Sequence, residues 1–534
     1  MRHTVLISDK FDKEGVERLK SSGKFEVVYK EGHTREELLS VIDQAEALII
    51  RSATKADKEV IEKASNLKLI VRAGVGVDNI DIPEASRRGI IVMNAPGGNS
   101  VSTAEQAISL LTSMARNIPQ ANQTMHEGKW EKKKFKGTEL TGKTLGVVGL
   151  GRIGKEVVKR AKGLRMNVLG FDPYIPAESL SHLEIDIVSK EEIIKQSDFI
   201  TVHTPLTDTT RDLVNKENLK DLKKGVRLIN CARGGIYNEE ALAEGLESGQ
   251  IAGVALDVFT QEPIPADFPL IGKENVILTP HLGASTGEAE FAVAMETIDE
   301  LIEFFDTGVA RNALNFPSID PDSLDYLKPY FLGGEKAGKL LAHFVGGDVK
   351  TVDLNYKGSI AEYKIDPVTT AILKGVLSVA LGDDQLNYVN APVFAKERGI
   401  RVHENKTENP DTYKSSVDIK LEATSGKSAT LKFTAINSDP LVVSMNELPI
   451  EFKPEGILIL CENNDVPGVV GAIGSFLGQE NVNIASIELA RPKEGGTARS
   501  VLVVDDLLTA DQLKKMNDLG HIVSAIQVDL RESK

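Results

Sequence analysis

The stretch Lys143–Asp172, KTLGVVGLGRIGKEVVKRAKGLRMNVLGFD, decides how the rest of the chain is read. Leu145–Leu150 is a short apolar run, the pattern of a strand buried in a parallel sheet. Gly149, Gly151 and Gly154 follow as G-x-G-x-x-G. The first glycine admits a tight turn, the second lets a pyrophosphate approach the backbone, and the third lets a helix sit close to the sheet. The pattern predicts that helix over Arg152–Ala161. Its N-terminal N–H groups and positive dipole end would face the phosphate. A second strand ends at Asp172. A carboxylate there accepts hydrogen bonds from a ribose 2′-OH and repels a 2′-phosphate, which favours NAD over NADP. The glycines alone fit a structural turn equally well. A strand before them, a helix after and an acid at this distance together point to a dinucleotide site.

Downstream, one strand after another ends in polar or small residues. Phe199–Val202 runs into His203-Thr204-Pro205, and Val226–Asn230 into Cys231-Ala232-Arg233-Gly234-Gly235. Val254–Leu256 runs into Asp257, with Gln261-Glu262-Pro263 just beyond, and Val276–Leu278 into Thr279-Pro280-His281-Leu282-Gly283-Ala284-Ser285. Parallel sheets bind ligands at their carboxyl edges, so this convergence marks a site more strongly than any one motif.

Upstream, residues 1–97 alternate strands (Val5–Ser8, Phe25–Tyr29, Ala47–Arg51, Lys68–Arg72, Ile90–Asn94) with helical patterns, the signature of a second parallel sheet. Arg51 and Arg72 stand at strand ends, where they form an anion clamp or are ordinary surface charges. Ser100–Asn117 has helical apolar spacing, and Ser102 with Glu105 fits a capping box. The basic stretch Lys129–Lys136 reads as a solvated face or a contact with another subunit. Ser285–Thr307 carries Phe291, Ala294, Ile298, Leu301 and Phe305 on one stripe and would return the chain to the first sheet. Asn315–Pro321 reads as a linker.

From about residue 320 to 452 the pattern suggests an α+β domain with helices at Leu324–Phe344 and Val368–Leu381 and strands at Lys350–Tyr356, Ser415–Glu422 and Ala429–Ile436. It binds an anion or joins subunits. Residues 455–534 give the order βαββαβ, a ferredoxin-like split fold, with Asp465 placed to cap its first helix.

The composition fits this picture. The chain has 534 residues, a net charge of −15 and two cysteines far apart, Cys231 and Cys461. The acidic balance argues against nucleic acid as a main partner. The cysteines suggest no disulfide framework and no metal site, which suits a reducing compartment. No signal-peptide pattern and no membrane-length apolar run is present, so a cytoplasmic protein without membrane attachment is expected.

GLGRIG at Gly149–Gly154, CARGG at Cys231–Gly235, LDVF…QEP at Leu256–Pro263 and TPHLGAST at Thr279–Thr286 together resemble the D-isomer-specific 2-hydroxyacid dehydrogenases. RSATK at Arg51–Lys55, RAGVGVDNID at Arg72–Asp81 and NAPGGNS at Asn94–Ser100 resemble the branch of that family that oxidises 3-phospho-D-glycerate. LNYVNAPVFAKERGI (Leu386–Ile400) is similar to the intervening domain of its long form, and Asn463–Leu489 to an ACT domain. The resemblance spans essentially the whole chain. It implies an α/β architecture with a Rossmann-type doubly wound sheet and a flavodoxin-like substrate domain, then an α+β intervening domain and a ferredoxin-like ACT domain. The implied boundaries are 1–97 with 285–316 (substrate), 98–284 (NAD), 317–452 (intervening) and 453–534 (ACT).

The family implies NAD-dependent oxidation of 3-phosphoglycerate to 3-phosphohydroxypyruvate, the first step toward serine, by a homo-oligomer (dimer or tetramer). His281 matches the proton-transfer position, for which a side chain titrating near neutrality is suited. Glu262 would orient it, and Arg233 would hold the substrate carboxylate and polarise the C2 oxygen. For NAD, the pattern carries onto Arg152 and Ile153 at the helix start, Asp172 on the ribose, Thr204 and Pro205 along the cofactor, and Val75, where some relatives supply a threonine hydroxyl. Cys231, Ala232, Arg233, Asp257, His281, Gly283 and Ala284 would lie toward the nicotinamide. Arg51, Arg72 and Asn99 would contact substrate, with its phosphate also meeting a basic side chain of Lys132–Lys134. Asp465 and Asn483 match effector positions for L-serine, although Asn463 stands where some relatives are aromatic. A dimerisation domain without effector is the alternative there. For the whole protein the alternatives are a glyoxylate- or hydroxypyruvate-type dehydrogenase and an NAD-sensing regulatory binding protein.

Overall fold

Apolar runs buried on both faces build two parallel sheets side by side, in a computed structural model that describes residues 2–317, 321–346, 348–491 and 496–531. The first sheet comprises β1 (His3–Ile7), β2 (Phe25–Tyr29), β3 (Ala47–Ile50), β4 (Leu69–Arg72) and β5 (Ile91–Asn94) in the order β2-β1-β3-β4-β5. All of its strand pairs are parallel. This is the flavodoxin-like order.

The second sheet holds seven parallel strands in the order β12-β11-β10-β9-β6-β7-β8. They are β6 (Thr144–Val148), β7 (Asn167–Phe171), β8 (Asp186–Ile187), β9 (Phe199–Val202), β10 (Val226–Asn230), β11 (Ile251–Leu256) and β12 (Val276–Leu278). Strand order reverses between β6 and β9. The turn after β6 and the loop after β9 therefore flank the crevice where doubly wound sheets take their ligand.

Helix Ser100–Arg116 carries the chain into this second domain and packs Ala104, Leu111 and Met114 on its core. The expected capping box at Ser102 and Glu105 does not form. The helix starts three residues earlier, with Asn99 at the cap, which frees the Ser102 hydroxyl to bond Gly283 O and Glu105 to pair with Arg160.

Helix Gly287–Thr307 returns the chain to the first domain, as its apolar stripe predicts. It starts at Gly287, where the Thr286 side chain caps Ala289 N. The buried face is Val293, Ala294, Ile298 and Leu301, while Phe291 is 41% exposed. Beyond it, Ala313 bridges Met93 in antiparallel fashion and Asn315 bonds Val92 N and Ile90 O. The expected linker thus begins as an anchored edge of the first sheet, and its residues 318–320 lie outside the described residues.

The third sheet is mixed, in the order β14-β13-β15-β16-β17-β18, with helices Pro321–Val345 and Asp366–Leu381 packed together in its core. Its strands are β13 (Val349–Gly358), β14 (Arg401–Thr407), β15 (Ser415–Ala423), β16 (Ser428–Ile436), β17 (Asp439–Met445) and β18 (Leu448–Phe452). Three of these escape the sequence pattern. β14 is an almost fully exposed polar edge strand, and β17–β18 is a hairpin whose Asn446 and Glu447 both adopt positive φ without a glycine.

The fourth sheet, β20-β21-β19-β22, has the βαββαβ order, with β19 (Ile457–Asn464), β20 (Ile484–Ala490), β21 (Thr497–Val504) and β22 (Ile522–Asp529). Its own helices cover one face, and Leu458, Leu460, Val501 and Val528 on the other join the third domain's core. Asp465 does not cap helix Val469–Gln479. Gly468 occupies the cap with no side-chain bond, and the Asp465 carboxylate turns to Arg491 at 3.1 Å.

Candidate active site

His281 follows β12 and Glu262 the loop after β11. Glu262 Oε2 sits 2.7 Å from His281 Nδ1, and its Oε1 accepts from Phe259 N at 3.0 Å. The carboxylate is thereby fixed on both oxygens, and the imidazole remains half exposed, at 52%. His281 itself adopts φ +55, in the left-handed region, uncommon outside glycine. Asp257 pins the loop on both sides of it. This carboxylate is fully buried and accepts from Thr279 Oγ1, Leu282 N (2.9 Å) and Gly283 N (2.8 Å). Ser102 and Thr103 hydroxyls then donate to Gly283 O, and Gln106 to Thr279 Oγ1.

Arg233 leaves the turn after β10. Buried Asn230 shapes that turn by accepting from Ala232 N (2.9 Å) and donating to Arg233 O (2.7 Å). The guanidinium donates from Nη1 to Ala232 O and from Nε to Asp78 Oδ2, 3.1 Å away in the first domain. It can lie there because residue 76 is glycine; a Cβ would stand 2.0 Å from Arg233 Nη2.

The first domain supplies the facing wall. Phe11, Arg51, Arg72, His281, Ala284 and Glu290 are among the residues that line a cleft of 210 Å³. Burial, with Arg233 and Arg51 nearby, pulls Arg72 down to about 10. Its Nε is buried without a hydrogen-bond partner among the described residues, as are Asn99 Oδ1, Ser100 Oγ and Thr204 Oγ1. Val75 presents only its carbonyl, which accepts from Asn94.

At the glycine turn, Gly149 has φ +91 and a Cβ on Gly154 would lie 2.0 Å from Gly149 O. A Cβ on Gly151 would meet nothing within 4 Å, and no side chain caps helix Arg152–Gly163. Arg152 and Ile153 open that helix, so its first N–H groups face outward, as a pyrophosphate requires. Asp172 Oδ2 accepts from Leu150 N (2.8 Å) and Oδ1 from Tyr174 N (2.9 Å), leaving lone pairs on a carboxylate of fixed direction. Across the crevice, the His203–Thr204 segment closes on the turn, with His203 O 2.6 Å from the position of a Gly149 Cβ, and Pro205 is exposed just beyond. These features fit a dinucleotide. His203 pairs Nε2 with Thr201 at 3.0 Å and is pushed down to about 4 by burial, so it stays neutral. Burial likewise raises the Cys231 thiol well above its ordinary range.

Other predicted residues lie elsewhere. Lys134 lines a separate cleft with Lys136 and Arg227, away from Arg51 and Arg72. Asp465 and Asn483 flank helix Val469–Gln479 in the fourth domain, where Asn483 donates to Asp505 at 2.9 Å. Asn463 is buried and accepts from Ser500. The supporting roles of Ser102, Thr103, Gln106, Asn230, Asp78 and Glu290 carry no local signal in the sequence. Asp78 lay within a quoted motif, but nothing local ties it to Arg233. No group of three or more His, Cys, Asp or Glu among the described residues could hold a metal ion, and no described helix is long and apolar enough to cross a membrane.

Residues 108–283 match the family model of the D-isomer specific 2-hydroxyacid dehydrogenase NAD binding domain, 326–446 that of the D-3-phosphoglycerate dehydrogenase intervening domain, and 457–521 that of the ACT domain. The chain is 41% identical to D-3-phosphoglycerate dehydrogenase of Archaeoglobus fulgidus, over 98% of this chain and 100% of that one. It is equally identical to the Bacillus subtilis enzyme of that name, over 98% and 99%. A glyoxylate reductase structure from Paecilomyes thermophila superposes with a TM-score of 0.53 at 28% identity, covering 59% of this chain and 98% of the other. With its NAD-binding domain, intervening domain and ACT domain in this order, the chain belongs to the D-3-phosphoglycerate dehydrogenases of the D-isomer-specific 2-hydroxyacid dehydrogenase family.

Proposed function

We propose that the chain oxidises 3-phospho-D-glycerate to 3-phosphohydroxypyruvate with NAD in the cleft between its first two domains. One observation carries the reading: the His281–Glu262 pair and Arg233 stand at one carboxyl sheet edge, opposite Arg51 and Arg72 of the other. Bound NAD supplies the hydride acceptor. Gly149, Gly151, Arg152, Ile153 and Gly154 would hold its pyrophosphate and Asp172 its ribose. Thr204, Pro205, Val75, Cys231, Ala232, Asp257, Gly283 and Ala284 would line its path toward the cleft.

The chain's own residues do the rest. Glu262 accepts from Nδ1–H of His281, which leaves Nε2 free to take the proton of the C2 hydroxyl. The same carboxylate then stabilises the imidazolium. Arg233 holds the substrate carboxylate and draws charge toward the C2 oxygen with its planar fork. Arg51, Arg72 and Asn99 receive the phosphate end. An unphosphorylated acid would bring no anion to Arg72 and leave Arg51 with Glu290, which favours this substrate over glyoxylate or hydroxypyruvate. We take 1–97 with 285–316, 98–284, 317–452 and 453–534 as the four working units. L-Serine binding near Asp465 and Asn483 would regulate a homo-oligomer acting in the cytoplasm; the two buried free cysteines suit that reducing compartment.

The test is NADH formation by the purified protein with 3-phosphoglycerate, glycerate, hydroxypyruvate and glyoxylate, with and without L-serine. The phosphorylated acid should turn over best, and His281→Ala should lose ~10²–10⁴-fold in rate. Undiminished activity in that variant, or preference for an unphosphorylated acid, would overturn the assignment. Turnover without any partner counts against a purely regulatory NAD-binding role. Millimolar serine that neither slows turnover nor shifts melting would remove the effector role.

A further inference from the structure

Three guanidinium groups converge on the cleft, and the acids around them fall into two classes. Asp9 is committed to the chain itself, bonding Arg51 N and the Thr54 hydroxyl, and Asp12 caps the helix Lys13–Ser21. Asp78 and Glu290 are different. Among the described residues, the Asp78 carboxylate bonds only Arg233, at 3.1 Å, and the Glu290 carboxylate only Arg51, at 3.1 Å. Both are accessible, at 81% and 37%.

Each pair also joins separate parts of the cleft. Asp78 stands in the loop after β4 and reaches Arg233 after β10, 155 residues away in sequence. Glu290 lies in the first turn of helix Gly287–Thr307 and reaches Arg51 after β3. Each carboxylate takes one N–H from its arginine, whereas a guanidinium fork is best matched by two parallel bonds. Single-contact, solvent-exposed pairs are weakly held. Among the described residues Arg72, between them, has no acid bonded to it, and its Nε is unpartnered.

We propose that Asp78 and Glu290 are internal stand-ins for the two anionic ends of the substrate. They neutralise Arg233 and Arg51 in the free cleft and yield those groups to a carboxylate and a phosphate when substrate enters. This rests on the reading of the cleft as the substrate site. The exchange keeps three like charges tolerable without ligand and makes a ligand with two anionic groups the one that releases both pairs. A monoanionic acid releases only one.

The experiment compares Asp78→Asn and Glu290→Gln with the wild type. Each variant removes a competing anion, so the KM for 3-phosphoglycerate should fall about 2–5-fold, the range of an exposed ion pair. The change should appear in KM rather than kcat. A second reading needs no turnover: the melting shift produced by inorganic phosphate should saturate at lower concentration in Glu290→Gln than in the wild type. A KM and a phosphate saturation point that stay level or rise, in variants with wild-type melting temperature, would overturn the proposal. If the wild type does not oxidise 3-phosphoglycerate, the proposed function fails by itself, and the phosphate titration still decides whether Glu290 competes for the arginine.

Discussion

Glu262 and His281 sit 2.7 Å apart, and the other oxygen of Glu262 is held by Phe259 N. The glutamate therefore orients the imidazole from a fixed base. Glu262→Gln keeps the shape and loses the charge that supports imidazolium. We expect kcat to fall about 10–100-fold, with KM for substrate nearly unchanged, since only an interaction strengthened during proton transfer is removed. Steady-state kinetics with both substrates varied would check this split.

Gly151 and Gly154 separate cofactor binding from folding. A Cβ on Gly151 meets no protein atom within 4 Å. Gly151→Ala should thus melt like the wild type while its KM for NAD rises about tenfold or more, the effect of ~1.4 kcal/mol or more of lost phosphate contact. A Cβ on Gly154 would lie 2.0 Å from Gly149 O. Gly154→Ala must push helix from sheet, at about 1–3 kcal/mol, and should lower the melting temperature as well. Melting curves and NAD titrations on the pair would show the contrast.

Asp257 should prove to be structural as well as catalytic in its effect. Asp257→Ala strands the N–H of Gly283 in a buried place and takes the acceptor from the part-buried N–H of Leu282. Each unsatisfied group costs about 1–3 kcal/mol. The variant should melt earlier and lose activity because the His281 loop relaxes, and Asp257→Asn, which retains one acceptor, should lie between it and the wild type.

Glu300 gives the protein a pH-dependent weakness. Burial, reinforced by Glu296 and Glu303 against the opposing Asn312 bond and Arg311, raises its carboxyl to about 8. A raised carboxyl binds its proton more tightly folded than unfolded. Stability then declines as pH climbs from the ordinary carboxylate range to about 8, and levels off above it. Glu300→Gln removes the titrating group and can still accept from Asn312. It should be more stable than the wild type at pH 8, with a flatter profile of melting temperature against pH; a parallel profile would sink this account.

Much of the fold was legible because its signals are local. Leu145–Leu150, the three glycines and Asp172 lie within one strand-turn-helix-strand unit, and the spacing alone dictates where the backbone must turn and which end of the helix meets a phosphate. The apolar runs of both parallel sheets are equally plain, since burial of the central strands on two faces leaves few polar residues within them, such as Thr201 in β9. β14 and the β17–β18 hairpin were not legible. An exposed edge strand carries no alternation, and a turn at Asn446-Glu447 lacks the glycine that announces it.

The sequence by itself determined that the chain holds a dinucleotide turn and a series of strands ending in Arg233, Glu262 and His281. Tertiary structure alone decided what holds them. The sequence pattern places Asp257 beside the cofactor, and packing makes it in addition the buried acceptor that fixes the histidine loop. The local pattern at Ser102 is that of a helix cap, whereas the folded chain bonds it to Gly283, 181 residues away. Asp78 and Glu290 became partners of Arg233 and Arg51 only when two sheets closed on one cleft. Short-range spacing is set by backbone geometry and survives in the sequence. Pairings across hundreds of residues are set by which sheet edges face each other, and no local pattern records that.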